Sequence, residues 1–167
     1  VTHHIYQYYD KDGNHVANKV REVQGKKFWS EGNIGSSALF GQNLFNQGGK
    51  YITVCEGEID AMSAYQMLGS KWPVVSIMNG AASALQNCKK SFEYLMKYDN
   101  IVICFDNDKA GRKAAKKAAE LLSPKGKIVH LEKKDANEYL IEGKIKEFMD
   151  AWWNADSYTP DGIVAGT

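Results

Sequence analysis

The segment Tyr51-Ile-Thr-Val-Cys-Glu-Gly-Glu-Ile-Asp60 opens with five residues of strand composition and closes with three acids in five positions. Tyr51–Cys55 is mostly apolar and partly β-branched, as a strand buried within a sheet requires. Gly57 lets the backbone turn sharply from that strand into a helix over about Asp60–Leu68, which Gly69 ends. Glu56 is then left at the sheet edge, and Asp60 points back from the first helical turn. The helix dipole alone also favours acids at a helix start, so this segment acquires meaning only from the rest of the chain.

The pattern recurs downstream. Ile101-Val-Ile-Cys-Phe105 runs into Asp106-Asn-Asp108, and Lys127-Ile-Val-His-Leu131 is followed shortly by Lys134-Asp-Ala-Asn-Glu138. Between them lie a strand at Val74–Ile77 after Pro73, a helix beginning near Ala81 after Asn79-Gly80, and a helical stretch at Ser91–Lys97. An alanine- and lysine-rich amphipathic helix covers Lys109–Leu122 and stops at Ser123-Pro124, and a last helix covers Ile145–Trp153, with Trp152 and Trp153 packing it onto the sheet. Alternating strands and helices imply a parallel sheet with helices on both faces. Acids at the carboxyl ends of neighbouring parallel strands converge on one crevice, and converging carboxylates bind a hard divalent cation.

Each cluster has a simpler use when taken singly. Asp106 and Asp108, two apart in an extended segment, face one side and can address one metal pair, yet Asp-x-Asp is also loop chemistry and helix capping. Asp135-Ala-Asn-Glu138 is a turn with a helix cap. Lys109-Ala-Gly-Arg-Lys113 is different, because positive charge at a helix start opposes the dipole; a phosphate ligand accounts for it. Three acid clusters in order, each after its own strand, exceed what chance supplies.

The first 49 residues read differently. Ile5-Tyr-Gln-Tyr-Tyr9 and His15-Val-Ala-Asn-Lys-Val-Arg21 flank Asp10-Lys-Asp-Gly-Asn14, whose Asp-Gly is a hairpin signal. Lys26-Lys-Phe-Trp29 supplies a third strand, and glycines at 32, 35, 41, 48 and 49 make a turn-rich connector. Lys19, Arg21, Lys26 and Lys27 form a candidate nucleic-acid patch, with Tyr8, Phe28 and Trp29 near for base stacking; lysines on a solvated strand edge are the plain alternative. His3 and His4 belong to the terminus or the first strand.

The whole-chain numbers set bounds. At 167 residues the chain is about one domain, 44% hydrophobic and 25% charged. A formal net charge of +1 excludes a uniformly basic nucleic-acid binder, so any such contact is local. The scattered Cys55, Cys88 and Cys104 read as buried thiols rather than a disulfide or a zinc site. No apolar run reaches membrane-span length, the first residues show no signal-peptide pattern, and a cytoplasmic protein is expected.

Glu-Gly-x-x-Asp after a first strand and Asp-x-Asp after a later one resemble the toprim domain of topoisomerases and primases. Val54-Cys-Glu-Gly-Glu-Ile-Asp60, Phe105-Asp-Asn-Asp-Lys-Ala-Gly-Arg-Lys113, Lys134-Asp-Ala-Asn-Glu138, and Trp153-Asn-Ala155 with Pro160-Asp-Gly162 resemble one group more closely. That group is the primase half of the bifunctional helicase-primases of short-tailed bacteriophages, to which mitochondrial Twinkle is related. Asp12-Gly-Asn14, Lys19-Val-Arg21 and Ser37-Ala-Leu-Phe-Gly41 are similar to its RNA polymerase domain; Asn79-Gly80 stands where the family has His-Gly.

The resemblance implies an α/β fold: a Rossmann-like toprim sheet flanked by helices over residues 50–155, a small antiparallel basic subdomain over 1–49, and the start of a linker over 156–167 towards an absent helicase domain. It implies RNA primer synthesis from ribonucleoside triphosphates on single-stranded DNA with Mg²⁺, or Mn²⁺ in its place. Glu56 matches the catalytic glutamate, acting with Asp106 and Asp108. Glu56, Asp106, Asp108 and Asp135 match the metal-binding set, and Asp60 fits a supporting place in it. Lys19, Arg21, one of Lys26 or Lys27, Lys109, Arg112 and Asn137 are the implied nucleotide and template contacts. The chain carries no Cys-x-x-Cys pair and no P-loop, so the zinc module and the hexameric helicase of such proteins are expected as partners outside it. A toprim nuclease with the same metals, and a non-catalytic toprim binding module, are the other classes compatible with these acids.

Overall fold

The computed structural model describes residues 1–158. Two sheets organise the chain. The first is antiparallel, in the order β1 (His3–Tyr9), β2 (His15–Glu22), β3 (Phe28–Gly32). The expected hairpin joins its first two strands. Asp10 closes the turn by accepting from the backbone N–H of Asp12 and Asn14, both at 2.9 Å, and Gly13 occupies the left-handed region at φ 85° that favours glycine.

The second sheet has five strands in the order β5-β4-β6-β7-β8. Its parallel members are β4 (Gly49–Cys55), β5 (Val74–Ser76), β6 (Tyr98–Cys104) and β7 (Gly126–Ile128); β8 (Asp156–Ser157) adds an antiparallel edge. Side chains alternate between its faces. Ile52, Val54, Ile101 and Ile103 pack against α2 (Ala84–Lys90) and α4 (Lys109–Leu121). Cys55, Val102 and Cys104 face the other way, towards α1 (Glu58–Met67), α5 (Ala136–Ile141) and α6 (Ile145–Trp153). The short helix α3 (Phe92–Leu95) precedes β6. All three cysteines are free and buried, as expected.

The chain passes from β4 outward to β5 and then returns to the opposite side of β4 as β6. The strand order therefore reverses between β4 and β6, and a crevice opens beyond the carboxyl ends of such a pair. Glu56 follows β4, and Asp106 lies just after β6.

Several boundaries differ from the sequence reading. The helix expected from Asp60 begins two residues earlier, and Gly57 has φ −127°, an extended conformation open to any residue. Strand β7 stops at Ile128, although the Val129 N–H still donates to the Ile103 carbonyl at 3.0 Å. The capped turn expected at Asp135 continues as α5. Trp152 is buried and donates from Nε1 to Thr53 Oγ1 at 2.9 Å, and its more exposed neighbour Trp153 meets Tyr51 of β4 edge-on with ring centroids 5.6 Å apart, so both tryptophans pack α6 onto the sheet. Pro160-Asp-Gly162 lies outside the described residues.

A third, smaller core joins the two sheets. Tyr6, Tyr8 and Ala17 of the small sheet meet Met78, with Phe40 and Ile59 against them. Phe40 exchanges backbone hydrogen bonds with Ser76, at 3.0 and 3.1 Å, and Ala38 N–H donates to the Tyr9 carbonyl at 2.8 Å. Among the described residues, no helix is long and apolar enough to cross a membrane.

Candidate metal centre

Three carboxylates from three separate segments converge beyond the sheet. Asp60 comes from the first turn of α1, Asp106 from the end of β6, and Asp135 from the start of α5; one oxygen of each lies within 4.8 Å of the others. Asp60 is the most buried of the three. Backbone and side-chain hydrogen bonds hold the segments together. The Asn137 N–H donates to Asp60 Oδ1 at 3.0 Å, and the Asn137 side chain donates to Ser63 Oγ at 2.9 Å, so α5 is stapled to α1. Asp135 caps α5 by accepting from Glu138 N–H at 3.0 Å. Asn107 N–H donates to the Lys134 carbonyl at 2.7 Å, tying the loop after β6 to the loop before α5.

Such a cluster is electrostatically uncomfortable without a cation. Burial pushes the Asp106 carboxyl up to about 8, helped by the charges of Glu56, Asp60 and Asp135. Burial and then the Asp135 charge push Asp60 up to about 7. Burial also raises Glu56, whose Oε1 accepts from the Asp106 N–H at 3.3 Å. Three oxygen donors with mutual repulsion and partial burial are the donor chemistry a hard divalent cation satisfies.

Asp108 stands apart from the group of three. Its Oδ1 accepts from Gly111 N–H at 2.7 Å, making it the cap of α4, and its Oδ2 is paired with the Lys134 ammonium. That pairing holds the Asp108 carboxyl below its ordinary range and raises Lys134 in return. Gly111 is needed for closeness rather than for an unusual φ: a Cβ there would lie 2.1 Å from the Asp106 carbonyl oxygen. The first turn of α4 thus presses directly on the backbone that presents Asp106.

The expected basic contacts are distributed unevenly. Arg21, Lys26, Lys27, Lys109 and Arg112 are exposed, and Arg112 donates to Asn107 Oδ1 at 2.8 Å. Phe28 and Trp29 are 63% and 41% exposed, open to stacking. Tyr8 is fully buried, so it cannot stack on a base as expected; its hydroxyl instead donates to Glu58 Oε1 at 2.6 Å. Lys19, only 14% exposed, places Nζ 2.9 Å from the same Glu58 oxygen and 2.8 Å from the Met78 carbonyl. Sequence reasoning assigns no role to Glu58, Lys134 or Gly111. Glu58 looks in sequence like one more acid of a helix start, and only its pairing with Lys19, on the other sheet, reveals its use.

Residues 53–140 match the family described as Toprim-like. The chain is 42% identical over 170 residues to the DNA helicase/primase of Enterobacteria phage T3, a match covering 99% of this chain and 30% of the length of that relative. Among solved structures it superposes on one of bacteriophage T7 lagging-strand DNA polymerase interacting with primase domains of two gp4 subunits bound to an RNA/DNA hybrid and dTTP. There the TM-score is 0.84 at 39% identity, over 93% of this chain and 79% of the other. The primase fragment of the bacteriophage T7 primase-helicase protein gives 0.83 at 39% identity, over 90% and 63%. A fragment of the Aquifex aeolicus primase shares the fold at 19% identity, with a TM-score of 0.67 over 95% of this chain and 41% of the other.

Proposed function

Because the chain belongs to the Toprim-like family, we propose that it carries out DNA-directed RNA primer synthesis, with a divalent cation held by Asp60, Asp106 and Asp135. The observation that carries this reading is the convergence of those three acids at the point where the strand order reverses. The identity to a phage helicase/primase and the likeness to a T7 primase domain seen with an RNA/DNA hybrid support single-stranded DNA and nucleoside triphosphates as ligands. A helicase domain and a zinc module are the proposed partners, and the cytoplasm of an infected bacterium the proposed setting.

In the reaction a 3′-hydroxyl oxygen attacks the α-phosphorus of a ribonucleoside triphosphate, the bond to the bridging oxygen breaks, and pyrophosphate leaves. Mg²⁺ or Mn²⁺, when bound, supplies charge neutralisation at the phosphates and lowers the pKa of the attacking hydroxyl. Glu56 receives the hydroxyl proton; burial raises its carboxyl above the ordinary range, which favours proton uptake. Asp108 orients the start of α4, so that Lys109 and Arg112 face the triphosphate. Asn137 fixes Asp60 through its backbone N–H. Arg21 and the Lys26–Lys27 turn hold template phosphates, with Phe28 and Trp29 as stacking surfaces.

The test is incubation of the chain with labelled ribonucleoside triphosphates, single-stranded DNA and Mg²⁺ or Mn²⁺. Labelled oligoribonucleotides are expected, and Asp106→Asn should lose them while keeping a native circular-dichroism spectrum. DNA fragments in place of primers would overturn the assignment in favour of a nuclease, and full synthesis by the Asp106 variant would overturn the metal site.

A further inference from the structure

Lys134 stands between the acid cluster and the start of α4. Its backbone is fixed on both sides: the N–H donates to Glu138 Oε2 at 2.9 Å, and the carbonyl accepts from Asn107 N–H at 2.7 Å. The next residue is Asp135, one of the three clustered acids. The side chain leaves this anchored loop, and its ammonium meets Asp108 Oδ2 beside the cap of α4. The charges of Asp108, Asp106 and Glu56 all act on that ammonium. One cation from the loop before α5 therefore lies where two acid-bearing segments meet. Lys133 on the same loop is differently placed: its ammonium pairs with Glu142 and lies 5.9 Å from the Tyr139 ring centroid.

Little binds the ammonium permanently to Asp108. The Lys134 and Asp108 side chains are 46% and 41% exposed, and an ion pair this open to water is weak. A lysine stem is long and flexible, so its ammonium moves while the backbone stays in place. Lys109 and Arg112 are exposed on the first turn of the helix that Asp108 caps. Triphosphate oxygens placed against that turn outweigh a single carboxylate as partners for an ammonium. Filling the acid cluster with a divalent charge also reverses the local field on Lys134, turning attraction by the acids into repulsion.

We infer that Lys134 is an exchangeable cation: it pairs with Asp108 while no metal occupies the acid cluster, and it turns to the phosphates of the incoming nucleotide when the cluster is filled. That turn leaves Asp108 Oδ2 without its partner and open towards the cluster. Lys134 is then a nucleotide-binding residue in addition to Lys109 and Arg112, presented by the loop before α5 rather than by α4. The inference rests on the primase reading for the identity of its phosphate ligand.

The two roles give changes of opposite sign in one variant. Mn²⁺ binding is measured by calorimetry at pH 8.5 without nucleotide. Binding of α,β-methylene-ATP, which cannot release pyrophosphate, is then measured at saturating Mn²⁺. Lys134→Met should tighten Mn²⁺ about two- to fivefold, through loss of an exposed competing charge. The same change should weaken the nucleotide about tenfold, through loss of a charge-assisted contact. Lys134→Arg should stay within about threefold of wild type for the nucleotide, because it keeps the charge. Lys133→Met should shift neither constant beyond about twofold, since its charge faces Glu142. Any pattern other than opposite signs in Lys134→Met overturns the exchange: weakening of both ligands would make Lys134 a loop support, and tighter Mn²⁺ with unchanged nucleotide would make it a competitor alone. If Lys134→Met does not fold, Lys134→Gln serves in its place. These measurements need no turnover. A wild type that binds Mn²⁺ but no nucleotide would refute the primase reading itself, whereas nucleotide binding that survives Lys134→Met intact would refute only the role of Lys134.

Discussion

Replacing Gly111 by alanine sets two effects of opposite sign against each other. Alanine in a helix interior is better than glycine by about 0.5–1 kcal/mol, so propensity alone predicts a more stable protein. The new Cβ, however, would sit 2.1 Å from the Asp106 carbonyl oxygen, 3.0 Å from its carbon and 3.1 Å from Asp108 Oδ1. A carbon and a carbonyl oxygen rest no closer than about 3.3 Å, so helix and strand end must part by about 1.2 Å. The two Asp106 atoms are backbone, which cannot rotate away. Overpacking of this kind costs about 1–3 kcal/mol and outweighs the propensity gain. For a chain of this length a net loss of about 1 kcal/mol lowers Tm by roughly 2–4 °C. The displacement falls on Asp106 itself, and a misplacement of about 1 Å at a reacting group costs on the order of a hundredfold in rate. Thermal denaturation and primer-synthesis kinetics, measured on one preparation, check both numbers. A Gly111→Ala protein with unchanged or higher Tm and wild-type kcat/KM would refute the claim that α4 presses on the metal-binding backbone.

Other outcomes follow from the electrostatics. Asp60 and Asp106 have folded-state pKa values of about 7 and about 8, above those of unfolded carboxylates, so the native metal-free protein holds more protons than the unfolded chain across that interval. Its stability should therefore fall as pH rises from about 4 towards 8, and saturating Mg²⁺ or the Asp106→Asn change should flatten that fall; urea midpoints across pH in EDTA decide it, and a rise over the interval would contradict the clustered charges. Lys134→Met removes a cation whose charge acts on Asp106 and Glu56, so Mn²⁺ binding at pH 8.5 should tighten about two- to fivefold, as removal of an exposed competing cation allows. Weaker Mn²⁺ binding, read by calorimetry, would show that Lys134 orients the loop rather than competing with the metal.

The large sheet is legible in the sequence because its strands are apolar runs, and two of them, Tyr51–Cys55 and Ile101–Phe105, lead straight into acids that a parallel fold must place at one edge. The amphipathic helix α4 and the last helix α6 are legible from their periodicity. The site is legible in its members and less so in their ranking. Asp108 and Asp106 share a motif, yet Asp108 turns away to cap α4 and meet Lys134, because the chain enters a helix one residue later. Asp60 looks subordinate in sequence, since a helix start accounts for it locally; its partners Asn137 and Asp135 come from a helix far along the chain. Tyr8 reads as an exposed stacking residue because strand alternation does not reveal which face a second sheet will cover.

The geometry groups Asp60 with Asp106 and Asp135, one oxygen of each within 4.8 Å of the others, a rank its sequence context does not give it. The decisive measurement is incorporation of labelled ribonucleotides on single-stranded DNA by Asp60→Asn, with Mn²⁺ binding followed in parallel. We predict loss of both, to the level of Asp106→Asn; wild-type synthesis with intact Mn²⁺ binding in the Asp60 variant would contradict the metal centre proposed for this chain.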